Sequence, residues 1–282
     1  MPDAASIGVL RDLVLFVSIA TALALGAYRL LRHFRPHVAW NHEGQVLSRP
    51  YGMPDLLVVM GMGLLFVSGM VMAGQGGDVL EDQGQQGTGM AGLVSAMMFN
   101  FIVCAGLLGY LHRVRGLNPA ELFGLQHFHW RWLLKVTLVF AVFSVIAVNA
   151  VSALTVTRLQ DVWPDVQPQE AVQLFQKTGG IGMKALFIFS VVILAPLAEE
   201  TVFRGFVYGV LKRYTDAPFA ALSSSLMFAI VHMHVGSLLP LCLLAVVICV
   251  AYEITGCLLV PMLLHMIFNG TSIIMMMAVD AG

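Results

Sequence analysis

Charged residues are scarce in this sequence. Of its 282 residues, 15 are Lys or Arg and 16 are Asp or Glu, which is 11% of the chain, whereas soluble domains carry about 25%. Hydrophobic residues make up 59%. The composition therefore excludes an ordinary soluble domain and predicts an integral membrane protein. The formal net charge of -1 says little about partners, and we expect the lipid bilayer to be one and no nucleic acid to be another.

Cysteine is also rare, with four residues in the chain and no CxxC pair among them. A disulfide framework and a zinc site made of thiolates both need paired or clustered cysteines. Neither is indicated here. The four cysteines lie in or beside apolar segments, where they are expected to pack as small hydrophobic side chains.

Long apolar runs dominate what is present. A membrane-spanning helix needs about 20 apolar residues, and this rule predicts about eight transmembrane helices and an all-α, polytopic membrane helical bundle. The predicted helices are Leu13–Leu31, Leu56–Ala73, Met90–Leu111, Leu133–Leu154, Ile181–Tyr208, Ala217–Val235, Leu238–Tyr252 and Leu258–Ala278.

Three regions follow from this pattern. Residues 1–112 hold the first transmembrane helices and carry no recognisable motif. Residues 113–180 hold an amphipathic segment, the fourth helix and a loop. Residues 181–282 hold the last helices and all of the polar motifs described below.

Basic residues follow the first, third and fifth predicted helices, whereas the loop at 75–89 has acidic residues and no Lys or Arg. Lys and Arg are enriched in cytoplasmic loops. The C-terminal ends of the odd-numbered helices are therefore predicted to face the cytoplasm.

The segment from Arg113 to Trp132 mixes Leu, Phe and Trp with Arg and His. Trp and basic residues anchor a chain at the membrane boundary. The segment is expected to form a lipid-surface helix or a re-entrant elbow, and a contribution to substrate docking is the alternative.

The first polar motif is Glu199-Glu200-Thr201-Val202-Phe203-Arg204, inside an apolar helix. Ionisable residues within membrane segments are costly and mark functional sites. Glu200 and Arg204 are i,i+4 neighbours that can pair, whereas Glu199 points about 100° away from Glu200. Glu200 can therefore be held by Arg204, and an ion pair that serves only to join helices would look the same. Glu199 is left without this partner and is a candidate general base.

Two further motifs follow on later helices. Phe228 lies four residues before His232, and His265 lies four residues before Asn269. An i,i+4 spacing places both members of a pair on one helical face. His265 and Asn269 could join helices by hydrogen bonds or donate to a developing oxyanion. The predicted depths allow Glu199, His232 and His265 to meet in one pocket that opens toward the cytoplasm.

The ordered set EExxxR, FxxxH and HxxxN resembles the CAAX-protease and bacteriocin-processing family of intramembrane endopeptidases, whose eukaryotic members are the type II CAAX prenyl endopeptidases. The resemblance covers about residues 181–277. It implies hydrolysis of a peptide bond by activated water, in a membrane-associated protein or peptide. It assigns the base to Glu199 with help from His232, oxyanion stabilisation to His265 and Asn269, and supporting roles to Glu200, Arg204 and Phe228.

The resemblance leaves the cofactor open between no metal and zinc. A catalytic zinc takes three protein ligands and an open position, which Glu199, His232 and His265 could supply. No HExxH motif is present on one helix. A metal-free, glutamate-activated water is the mechanism that we expect.

Two other functions remain open at this stage. Intramembrane charges also line transport pathways, but a transporter predicts polar residues along a continuous path and an internal repeat, and neither is visible. A non-catalytic protein of the same fold, with an immunity or scaffold role, is the other alternative. The compact, all-membrane chain is expected to lie in a bacterial inner membrane.

Overall fold

The fold is described from a computed structural model of the chain. The structure describes Gly26, residues 29–30, 33–34, 44–75, 90–126, 129–162, Phe175 and residues 180–280. Across these residues the regular secondary structure is helical and contains no strand. The prediction of an all-α membrane bundle is thereby confirmed.

The described helices are, in chain order, α1 (Met53–Gln75), α2 (Met90–Gly109, continuing as a π-helical turn over Tyr110–Val114), α3 (Pro119–Leu122), α4 (Trp130–Val162), α5 (Ile181–Tyr214), α6 (Ala217–Val231), α7 (Val235–Thr255) and α8 (Leu259–Asp280). Helices α2, α4, α5, α7 and α8 contain segments long and apolar enough to cross a membrane, whereas Met53–Ser68 and Ala217–Val231 are shorter apolar helices. The first predicted helix, Leu13–Leu31, lies outside the described residues except at its end.

The boundary between α6 and α7 differs from the prediction. Helix α6 ends at Val231 and not at Val235, and α7 begins at Val235 and not at Leu238. Met233 adopts a left-handed backbone conformation with φ 52°. The His234 side chain accepts a hydrogen bond from the backbone N–H of Ser237 and so caps the start of α7. Apolar composition alone carries no sign of this tight turn.

Helix α7 lies at the centre of the C-terminal bundle, packed against α4, α6 and α8. Small and branched side chains fill these contacts and are almost fully buried. They include Leu244, Ile248 and Ala251 of α7, Leu133, Val136 and Val148 of α4, and Val260 and Leu264 of α8. This packing fixes α8 beside α5, where the polar motifs meet.

Helix α5 is interrupted twice by π-helical turns, at Ser190–Leu194 and at Phe203–Tyr208. A regular α-helical stretch, Ala195–Val202, separates them and contains both glutamates. Such turns insert one residue into the helix and are frequent at functional sites. The first motif therefore lies where the helical register of α5 changes.

Between α2 and α4, the described residues of the amphipathic segment form an elbow with one short helix, α3. Phe123 is buried in the core, and its carbonyl accepts a hydrogen bond from the Leu258 N–H at 3.0 Å. Gly124 has φ 66°, and a Cβ atom there would lie 1.9 Å from the Gly256 carbonyl oxygen. The elbow therefore packs against the turn between α7 and α8.

Residues 44–52, which we call the strap, join the ends of α5 and α7. The Lys212 ammonium, 1% exposed, donates to the Glu253 carboxylate at 2.6 Å and to the Val46 carbonyl at 3.1 Å. The Tyr51 hydroxyl donates to the Gly205 carbonyl, and burial raises the pKa of Tyr51 well above its usual value. The strap is thus anchored by a buried ion pair and by the second π-helical turn.

Candidate active site

Glu200 and Arg204 form the buried ion pair that their spacing predicts. Arg204 Nη1 donates to Glu200 Oε1 at 3.0 Å, and both side chains are inaccessible to solvent. Arg204 Nη2 also donates to the Ala245 carbonyl of α7 at 3.4 Å. A buried charge is tolerated when it is paired and hydrogen-bonded. The pair therefore holds α5 against α7.

His265 joins this pair from α8. Its Nδ1 lies 2.7 Å from Glu200 Oε1, and because an ionised carboxylate can only accept, Nδ1 carries the hydrogen. The other ring nitrogen, Nε2, lies 3.9 Å from Glu199 Oε2. That distance is too long for a hydrogen bond. His265 is thus oriented by Glu200 and presents Nε2 to the region in front of Glu199.

Glu199 has a different environment from Glu200. Its side chain is 27% exposed and lines a cavity of about 900 Å³ between α1, α2, α5 and α6. The cavity wall is almost entirely apolar, and Glu199 is the only carboxylate among the described residues that line it. The prediction that the two adjacent carboxylates face different surroundings is confirmed.

Phe228 is the packing centre of the site. Its ring is fully buried, with the Arg204 guanidinium carbon 4.6 Å from the ring centroid. It contacts the ring of His232 at 4.7 Å and the ring of His265 at 5.8 Å between centroids. A cation over an aromatic face is attracted to it, and the two imidazoles are held against the same side chain. Phe228 therefore brings the three motifs together.

The sequence predicted His232 within the sixth helix. In the structure it lies just after the last residue of α6, at the C-terminal cap. Its Nδ1 is 2.8 Å from the Phe228 carbonyl. Since a carbonyl only accepts, Nδ1 donates, and Nε2 of the neutral ring remains an acceptor. The ring is half-buried. This form of the imidazole can take a proton.

Asn269 makes a contact that the motif did not predict. Its Nδ2 donates to the Val191 carbonyl at 3.0 Å. In the first π-helical turn, the Ala195 N–H bonds to the Ser190 carbonyl, and the next residue, Pro196, has no N–H. The Val191 carbonyl is therefore left without a helical partner and is satisfied by Asn269. The one sequence feature that could have indicated this contact is Pro196, a proline within an apolar helix.

One oxygen of the site has no partner. Glu200 Oε2 is buried and makes no hydrogen bond with any described residue. Its sister oxygen, Oε1, accepts from both Arg204 and His265. An unsatisfied buried oxygen is uncommon in native structures.

The cavity also contains polar residues that carry no motif. Asn100 and Tyr110 of α2 line it together with Glu199. The Tyr110 hydroxyl donates to Asp55 at 2.9 Å, and Asp55 also accepts from Arg115 Nε at 2.9 Å. The sequence reasoning missed Asn100. The feature that could have indicated it is a single carboxamide in an otherwise apolar helix.

The described residues contain no group of three or more His, Cys, Asp or Glu side chains arranged to hold a metal ion. The zinc ligand set considered from the sequence was Glu199, His232 and His265. In the structure, His265 directs Nδ1 to Glu200 and His232 directs Nδ1 to the Phe228 carbonyl. These Nδ1 contacts leave Nε2 of both rings free, as in metal-ligating histidines, so what speaks against zinc is that the three side chains do not form a ligand group.

The fold and the site define a polytopic membrane protein with a buried glutamate–histidine centre beside an apolar cavity. Residues 181–271 match the family described as type II CAAX prenyl endopeptidase Rce1-like. The resemblance read from the three motifs is confirmed over this part of the chain.

Two curated relatives are each similar to about a third of this chain. The membrane-embedded CAAX protease MroQ of Staphylococcus aureus is 36% identical over 95 residues, which are 32% of this chain and 38% of that protein. An uncharacterized 24.3 kDa protein of Escherichia coli is 41% identical over 86 residues, 29% of this chain and 40% of that protein. The chain thus spans less than half the length of these relatives. No solved structure matches it.

Proposed function

We propose that the protein is an intramembrane endopeptidase that hydrolyses a peptide bond of a membrane-associated protein or peptide. One observation carries the proposal. Of two adjacent glutamates, Glu200 is neutralised by Arg204 and His265, and Glu199 is left at the wall of a large apolar cavity. The match of residues 181–271 to an endopeptidase family supports it.

In the proposed reaction, Glu199 accepts a proton from water while the water oxygen bonds to the carbonyl carbon of the scissile peptide. His232 assists through Nε2, its available acceptor. The carbonyl oxygen becomes an oxyanion that accepts hydrogen bonds from the protonated ring of His265 at Nε2 and from Asn269, which keeps one N–H after bonding Val191. The C–N bond then breaks, and the proton taken up by Glu199 passes to the leaving nitrogen. The second proton of the water stays on the new carboxyl group and then passes to the amine, so the products are a carboxylate and an ammonium group.

We further propose that the reaction proceeds without a resident metal. The lack of an HExxH motif and the lack of a three-residue ligand group among the described residues support this. The expected result is that purified, active protein contains less than stoichiometric zinc and keeps its rate after treatment with a chelator. Loss of activity that added zinc restores would contradict the metal-free mechanism.

The proposed location is a bacterial inner membrane, with the active site open toward the cytoplasm. The basic residues Lys212 and Arg213 at the end of α5 support this orientation. Both relatives described above are bacterial. Among the described residues, the polar lining of the cavity is limited to Asn100, Tyr110 and Glu199.

The test is a comparison of membrane-protein termini in cells that carry the wild-type protein, the Glu199→Gln variant or the Glu121→Gln variant. Glu121 is an exposed glutamate on α3 and serves as the matched control. New termini are expected with the wild type and the control and are expected to be absent with Glu199→Gln. Identical termini in all three strains would favour the non-catalytic alternative.

A further inference from the structure

Asn100 differs from the other asparagines that the structure describes. The side chains of Asn118, Asn149 and Asn269 each hydrogen-bond a backbone group. Asn100 lines the cavity and makes no hydrogen bond with any described residue. A polar side chain on a transmembrane helix normally finds a partner. The missing partner of Asn100 is therefore expected to come from outside the chain.

The cavity has the dimensions of a short peptide segment. Its lining on α1 extends from Val58 to Val67, which is about 14 Å along a helix. An extended chain rises about 3.3 Å per residue, so the cavity has room for about four residues. The apolar walls suit apolar side chains. The backbone N–H and C=O groups of such a segment would have no partners in these walls.

A carboxamide is suited to a bare peptide backbone because it offers both an acceptor oxygen and N–H donors. A lipid acyl chain could also fill the apolar space, but it has no group that would pair with Asn100. The carboxamide thus favours a peptide occupant over a lipid occupant.

The cavity is open on one side between α1 and α2. Leu65, Phe99 and Ile102 line it and are also 75%, 67% and 61% exposed, respectively. These large apolar side chains form a rim that an apolar segment can cross. A segment that enters from the bilayer would pass Asn100 and reach Glu199 on α5.

We propose that Asn100 is a substrate-binding residue that hydrogen-bonds the backbone of an extended, apolar peptide segment and places its peptide bond beside Glu199. The assignment rests on the proposed endopeptidase function. It adds a role for α2, a helix in which no motif was recognised.

Binding is tested in the Glu199→Gln background, where the probe stays intact. The probe is a short fluorescent peptide of leucine and alanine, with copies in which one backbone amide at a time is replaced by an ester, which removes one N–H. With Asn100 present, one of the ester copies is expected to bind about 5- to 10-fold more weakly than the all-amide peptide, the size expected for one lost hydrogen bond. With Asn100→Leu, all copies are expected to bind within about twofold of one another.

Asn149→Leu is the matched control. It makes the same substitution in α4, where the exposed Asn149 bonds the Val145 carbonyl of its own helix. This control is expected to keep the ester discrimination. Thermal unfolding checks folding, and Asn100→Leu is expected to unfold near the parent temperature because it removes no internal hydrogen bond with a described residue.

The outcomes separate the two proposals. Equal discrimination between the amide and ester peptides by the protein with Asn100 and by Asn100→Leu would overturn the role of Asn100. Displacement of the peptide by palmitate, together with equal binding of all ester copies, would overturn it as well. Cleavage that depends on Glu199 and shows an unchanged KM in Asn100→Leu would overturn it as well while leaving the endopeptidase proposal standing. Asn100-dependent binding without any Glu199-dependent cleavage would support the binding site and reject the hydrolytic function.

Discussion

Glu199 and Glu200 are sequence neighbours with opposite surroundings. Glu200 is fully buried and bound by a guanidinium and an imidazole, whereas Glu199 keeps part of its surface at the cavity. Removing one partner from a buried ion pair leaves an uncompensated charge in an apolar environment. Glu199 has no partner at hydrogen-bond distance among the described residues, and the nearest such group, His265 Nε2, lies 3.9 Å away. The two residues should therefore respond differently to the same substitution.

Glu200→Gln is expected to destabilise the protein by about 3–5 kcal/mol because Arg204 loses its counter-charge. Glu199→Gln is expected to change stability by less than about 0.5 kcal/mol while removing activity. Denaturant unfolding in detergent measures the first effect, and cleavage assays measure the second. Similar stability losses in the two variants would refute the separate roles assigned to these neighbours.

At the scale of the helix, the first π-helical turn of α5 and the Asn269 side chain depend on each other. Pro196 removes the N–H that could serve the Val191 carbonyl, and Asn269 supplies the substitute donor. The same side chain is also proposed to contact the oxyanion. The HxxxN motif thus has a structural task beside its chemical one.

Asn269→Ala is expected to cost about 0.5–1.5 kcal/mol of stability because it removes the hydrogen bond to the partly buried Val191 carbonyl. In a Pro196→Ala background, the restored N–H can serve that region of the helix, so the cost of Asn269→Ala is expected to be smaller by at least about 0.5 kcal/mol. A double-mutant cycle on unfolding free energies measures the difference. Strict additivity would show that the proline and the asparagine act independently.

The elbow packs against the turn between α7 and α8. Gly124→Ala is expected to disrupt the elbow, because its Cβ would lie 1.9 Å from a backbone oxygen and its φ of 66° disfavours other residues. Gly116→Ala is the matched control, with φ 64° and open space around its Cβ position. A thermal unfolding temperature that is lower for Gly124→Ala than for Gly116→Ala is expected. Equal temperatures would mean that the contact between the elbow and the α7–α8 turn contributes little.

At the scale of the whole molecule, composition and hydropathy predicted the bundle. The starts of α2, α5 and α6 were predicted at Met90, Ile181 and Ala217, where the structure has them, because apolar runs and their breaks are visible in the sequence. The π-helical turns were not predicted, since one inserted residue changes neither composition nor hydropathy. The α6–α7 turn was placed wrongly because it depends on the backbone of Met233 and the cap by His234.

The candidate site was predicted in part. The Glu200–Arg204 pair follows from spacing along one helix and could be read from the sequence. The contact of His265 with Glu200 joins residues 65 positions apart and depends on how α8 packs against α5. Asn100 belongs to no motif, and its place at the cavity is defined only by the packing of α2 against α5.

Glu199 is proposed to activate water for hydrolysis within the membrane. The most direct test of this role is the cleavage rate of a substrate identified from the termini comparison, measured in liposomes with purified wild-type protein, Glu199→Gln and Glu121→Gln. We predict that Glu199→Gln lowers the rate by about 100-fold or more, as expected for removal of a general base. The rate of Glu121→Gln is expected to be unchanged. A rate for Glu199→Gln within about twofold of the wild type would contradict this role of Glu199.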